Sequence, residues 1–117
     1  MRTGISLLLL LLALLASPSA YAHAHLDHAN PPVGGTVQTA PTEVTLTFTQ
    51  NLEPAFSSVE VSDASGARVD AGKAQIGGNT MRVPVKSLPA GTYRVHWHAM
   101  SVDTHTTEGS FTFTIGR

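Results

Sequence analysis

Three of the chain's six histidines, His23, His25 and His28, fall within six residues of one another. A fourth, His105, stands two positions after Asp103 in Ser101-Val102-Asp103-Thr104-His105. The chemistry these residues offer depends on where the chain begins. Ala20-Tyr21-Ala22 fits the small-residue pattern at which secretory leaders are cut. A cut after Ala22 makes His23 the first residue, and a cut after Ala24 makes it His25. A terminal histidine can hold one metal ion through its α-amine and its own Nδ1. The amine has a pKa of about 7.7–8.0, so giving up its proton near neutral pH costs little. A square-planar ion then needs about two more ligands, and tetragonal N,O coordination is characteristic of Cu(II). One carboxylate and one imidazole, Asp103 and His105, would complete such a set. In extended backbone their i, i+2 spacing puts both side chains on one side. The motif is short, and taken alone it favours a turn aspartate beside a surface histidine.

The same terminus offers a competing chelate. In His23-Ala24-His25 an amine, two deprotonated amide nitrogens and the third-place imidazole can wrap Cu(II) or Ni(II) in a plane, with nothing needed from Asp103 or His105. His96 and His98 form a further i, i+2 pair. They could bind Zn(II) or Cu(II) weakly, but the pattern favours polar residues on a solvated strand face. Cu(I) prefers soft thiolate and thioether ligands. The chain has no cysteine, and after a cut at Ala22 only Met81 and Met100 remain. A dedicated Cu(I) site is not expected, and the lack of cysteine also excludes a disulfide framework.

The elements that must position these residues read as strands. Val44, Leu46 and Phe48 alternate with Thr45, Thr47 and Thr49. Val59 and Val61, then Met81, Val83 and Val85, repeat the period of two. Tyr93, Val95 and Trp97 alternate with Arg94, His96 and His98, and Phe111, Phe113 and Ile115 with Thr112 and Thr114. This is the half-buried strand signature, and it places Trp97 in the core. Turn residues separate the runs at Asn30-Pro31-Pro32, Gly34-Gly35, Asp63–Gly66, Gly77-Gly78-Asn79 and Pro89-Ala90-Gly91. Ser101–His105 then lies in the loop joining two strands. The expectation is an all-β sandwich or barrel.

Composition sets the compartment and excludes several functions. Arg2 precedes the run Ile5–Ala16, apolar apart from Ser6, which is too short for a span of about 20 residues and has the length of a signal-peptide core. The expected organisation is a removed signal peptide, residues 1–22, and one domain, residues 23–117. That domain carries six basic and eight acidic residues, a formal net charge of −2, which gives no argument for nucleic acid or an anionic membrane. With no second apolar span, the processed chain is expected to stay out of the membrane, in the periplasm, as a monomer. No phosphate-binding loop, recognisable Ser-His-Asp arrangement or glycosidase carboxylate pair stands out.

Three stretches together resemble the CopC family of periplasmic copper-binding proteins: A-H-A-H-L at Ala22–Leu26, L-P-A-G-T-Y-R-V-H-W at Leu88–Trp97, and S-V-D-T-H-T-T-E-G-S-F-T-F at Ser101–Phe113. The intervening N-P-P-V-G-G-T-V and A-P-T-E-V-T-L-T-F also fit. The likeness spans the processed chain and leans toward the short, methionine-poor branch with the YobA-type proteins. It implies a seven-stranded Greek-key β-sandwich, immunoglobulin-like and cupredoxin-like in appearance. It implies one Cu(II) per mature chain, with His23, Asp103 and His105 as ligands and His25 as an axial or outer-sphere group. The family's methionine-rich loop has no counterpart between Ser62 and Thr80. A CopD-like inner-membrane copper permease is the implied partner. The implied function is a Cu(II) carrier or sequestration factor in copper homeostasis or resistance, not an enzyme. Two rivals remain from the residues alone. One is an oxidative enzyme using a copper brace, which needs an open position for oxygen. The other is a structural β-sandwich with an incidental terminal chelate.

Overall fold

The structure is a computed structural model that describes residues 23–116. The expected signal peptide, residues 1–22, and Arg117 lie outside the described residues.

Two four-stranded sheets face each other. One runs in the order β1 (Leu26–Asn30), β3 (Glu43–Phe48), β6 (Thr80–Pro84), β5 (Gln75–Gly77). The other runs β2 (Thr36–Val37), β8 (Thr106–Ile115), β7 (Gly91–Met100), β4 (Ser58–Ser62). All pairings are antiparallel except β2 with β8. The expected all-β sandwich is therefore observed, with eight strands rather than seven once the two-residue β2 is counted.

The core follows from the alternation. Val44, Leu46 and Phe48 of β3 are buried, as are Val59 and Val61 of β4 and Met81 and Val83 of β6. From β7 come Tyr93, Val95, Trp97 and Ala99, and from β8 Phe111, Phe113 and Ile115. Burial of such side chains contributes about 1.5–3 kcal/mol each before chain entropy is counted. Trp97 meets Phe48 edge to face across the two sheets, with ring centroids 5.1 Å apart. Gly109, opposite Trp97 in the β7–β8 ladder, leaves the indole its room: a Cβ there would fall 2.7 Å from Cζ2. At the other end Tyr93 donates its hydroxyl to the Pro89 carbonyl at 2.6 Å, a strand-entry bond of the kind known from immunoglobulin-like sandwiches.

β7 and β8 are longer than their apolar cores suggest, pairing in register from Gly91–Ile115 to Met100–Thr106. Residues 101–105 thus form a tight connection at one end of the sandwich. β1 brings the start of the described chain to that same end, because Leu26 pairs with Phe48 at the far end of β3.

Candidate metal centre

The backbone at residues 23–25 is clamped from both sheets. Ala24 is fully buried, and its carbonyl accepts a 2.6 Å hydrogen bond from Thr107 Oγ1 at the start of β8. The His25 N–H donates to Thr49 Oγ1 at 3.0 Å, and the Thr49 N–H donates to the His25 carbonyl at 2.9 Å. Ala24 acts as an apolar pin, while the two threonines satisfy backbone groups that would be costly to bury unpaired. His23 is thereby delivered to the 101–105 loop.

That loop is not extended, contrary to the simplest reading of its i, i+2 spacing. It is a turn. The Thr104 N–H donates to the Ser101 carbonyl at 2.8 Å, and the Ser101 N–H to the His105 carbonyl at 2.9 Å. Thr104 sits at φ 74°, in the left-handed region that costs a β-branched residue about 1–2 kcal/mol. Backbone bonds hold it there, together with the Val102 N–H donating to the Asn51 carbonyl at 3.0 Å. Ser101 is the buried polar residue at its root. Its hydroxyl donates to Asp103 Oδ1 and also lies 3.2 Å from the His105 carbonyl oxygen.

The turn, rather than a strand, brings the two side chains together: His105 Nδ1 is 3.5 Å from Asp103 Oδ1. The Ser101 hydroxyl above all, with His105 adding to it, holds the Asp103 carboxyl below the usual carboxylate range, against the opposing effect of burial. Asp103 is therefore ionised and ready as a ligand at neutral pH. The His23 and His105 rings stand edge to face with centroids 4.8 Å apart. His25 is farther, 6.1 Å from His23 between ring centroids. His28 turns away and pairs with Asp27 at 2.8 Å. Met81 is buried in the core and Met100 half-buried at the end of β7.

Sequence reasoning thus named three residues that the fold brings into one neighbourhood. It missed Ser101, Thr49 and Thr107, which position them. Among the described residues no three His, Asp or Glu side chains yet converge on a common point. In the 117-residue chain the nitrogen of His23 is an amide, since Ala22 precedes it. The clamp also bears on the planar terminal chelate. That chelate needs the amide nitrogens of Ala24 and His25, yet the His25 N–H is engaged with Thr49 and Ala24 is packed in the core. It would require the segment to leave its seat.

The family model of the CopC domain matches residues 26–116. The chain belongs to the CopC family. The CopC match begins three residues after His23, so His23 and His25 fall just ahead of it. Protein YobA of Escherichia coli K12 is 36% identical over 105 residues, covering 86% of this chain and 85% of that protein. Copper resistance protein C of Xanthomonas campestris pv. juglandis is 35% identical over 112 residues, with 88% and 87% covered. The crystal structure of PcoC, a methionine-rich copper resistance protein from Escherichia coli, matches with a TM-score of 0.73 and 36% identity, over 81% of this chain and all of PcoC.

Proposed function

We infer that this CopC-family chain is a periplasmic Cu(II) carrier or sequestration factor in copper homeostasis or resistance, binding one Cu(II) per mature chain. Residues 1–22 act as the signal peptide, and removing them turns the His23 nitrogen from an amide, a poor ligand, into a basic amine. The amine and Nδ1 of His23, a carboxylate oxygen of Asp103 and an imidazole nitrogen of His105 then form an N3O set, the donor chemistry of tetragonal Cu(II). His25 would stand beside the ion without joining that set. The observation that carries this reading is the 4.8 Å approach of the His23 and His105 rings with Asp103 beside His105.

The naming of relatives for copper resistance supports the copper assignment. A carrier fits better than a copper-brace enzyme, because a carboxylate from Asp103 would stabilise the dication and take a position that an enzyme needs open for oxygen. Copper handed onward implies a membrane partner of the CopD-like permease type. The test uses secreted, processed protein whose first residue is fixed by intact mass. Cu(II) is titrated into it and into Asp103→Ala and His105→Ala, with EPR on each. One tight equivalent, sharply weakened by either substitution, is expected. Binding that survives both substitutions but fails in His25→Ala would replace this reading with the planar terminal chelate.

A further inference from the structure

The outward face of the β4–β7–β8 sheet gathers a second set of metal-capable donors, far in sequence from the terminus. In the ladders His96 lies between Glu60 on β4 and Ser110 on β8, and His98 lies between Ser58 and Glu108. Both histidines project from the face opposite buried Val95, Trp97 and Ala99. Glu108 Oε2 stands 3.2 Å from His96 Nε2 and 3.7 Å from His98 Nδ1. We propose that His96, His98 and Glu108 form a second divalent-metal site, suited to a borderline ion such as Zn(II), with water completing the coordination.

Three features support it. The first is spacing. Ligands at 2.0–2.2 Å around a tetrahedral ion stand about 3.4 Å from one another, and the two measured separations straddle that value. The second is orientation. His96 Nδ1 faces Glu60 Oε1 at 3.5 Å, which leaves Nε2 turned toward Glu108. A carboxylate behind the imidazole of a metal ligand is the usual arrangement that fixes its tautomer and raises its basicity. The third is charge. Glu60 is already matched by Arg68 Nη1 at 2.8 Å. The ion-pair contacts of Glu108 among the described residues are both to imidazoles, and neither is to a lysine or arginine. A metal cation between them would set a permanent positive charge beside the Glu108 carboxylate. The donors have not yet closed on one point. All three side chains are 40–61% exposed, so an ion can reach them from solvent.

This site is independent of the terminal one, and the test keeps them apart. Zn(II) is titrated into processed His105→Ala protein, in which the terminal set is broken, while the histidine ring resonances are followed by NMR. The rings of His96 and His98 are expected to shift together and saturate at one equivalent. Adding His98→Ala or Glu108→Gln is expected to weaken Zn(II) at least about tenfold, a loss that removing even an outer-sphere partner can cause. Ring resonances of His96 and His98 that stay put at saturating Zn(II), or a dissociation constant that changes less than tenfold in both variants, overturn the proposal.

Discussion

Gly109→Ala sets two effects of opposite sign against each other. Gly109 has ordinary strand dihedrals rather than a positive φ, so alanine fits the backbone and loses less entropy on folding. Alone, that would stabilise by about 0.4–1 kcal/mol. The new Cβ, however, would meet Trp97 Cζ2 at 2.7 Å, Cε2 at 3.0 Å and Nε1 at 3.4 Å. Carbon–carbon contacts are most favourable at about 3.5–4.0 Å, so the nearest contact is too short by nearly 1 Å. These are atoms of a rigid ring, not the end of a flexible chain. The indole cannot retreat freely, because the Phe48 ring stands 5.1 Å away and both residues are buried. Such overpacking costs about 1–3 kcal/mol. The net expectation is a loss of about 1–2 kcal/mol, or roughly 5–10 °C in Tm for a domain of this size. Urea unfolding followed by fluorescence measures it directly, since Trp97 is the chain's single tryptophan. The midpoint should fall with the m-value unchanged. Combining Gly109→Ala with Trp97→Phe should recover much of the loss as a coupling energy. A Gly109→Ala protein as stable as the parent, or more so, refutes the claim that the glycine exists to seat the indole.

Two further outcomes follow from the same geometry. Asp70 receives 2.7 Å hydrogen bonds from Arg68 Nε and Nη2 and a 3.1 Å bond from the Val61 N–H, and Arg68 holds its carboxyl below the usual range. Its contribution is therefore complete above the unfolded value of about 3.9 and is lost as pH falls through the lower folded value. Asp70→Asn should cost about 1–2 kcal/mol at neutral pH and flatten the decline in urea midpoint between about pH 5 and 3; parallel declines in both proteins would contradict this. Thr107→Val removes the donor to the buried Ala24 carbonyl, a loss of about 1–3 kcal/mol that the chain can relieve by releasing residues 23–25. Faster amide exchange at His25, confined to that segment, is the expected signature, and unchanged exchange would show that Thr107 does not hold the terminus.

What the sequence disclosed follows its physics. Strands with one buried face announce themselves by period, which is why β3, β6, β7 and β8 were legible from Val44, Met81, Tyr93 and Phe111 onward. β1 was not, because its burial is interrupted at Asp27 and His28, where the register to β3 shifts. β2 and β5 are too short to show a period. His23, Asp103 and His105 were legible as ligand types, and the resemblance joined two ends of the chain that composition could not. The turn at Thr104 was hidden because threonine is not a residue of left-handed backbone. Ser101, Thr49 and Thr107 look like any polar residue at a strand end, and only the fold shows each bonded to the loop or to residues 23–25. The same holds for Glu108, whose place between two imidazoles is a property of register across β7 and β8.

The central claim is that a freed His23 amine completes the copper site. Its most direct measurement is a competitive Cu(II) titration of two processed proteins that differ by one alanine placed ahead of His23. If the amine is a ligand, the extended protein loses the tight one-equivalent site and its EPR signature, while its fold and thermal stability without copper stay the same. If both proteins bind Cu(II) with equal affinity and identical spectra, the amine is not a ligand and the account of the site fails.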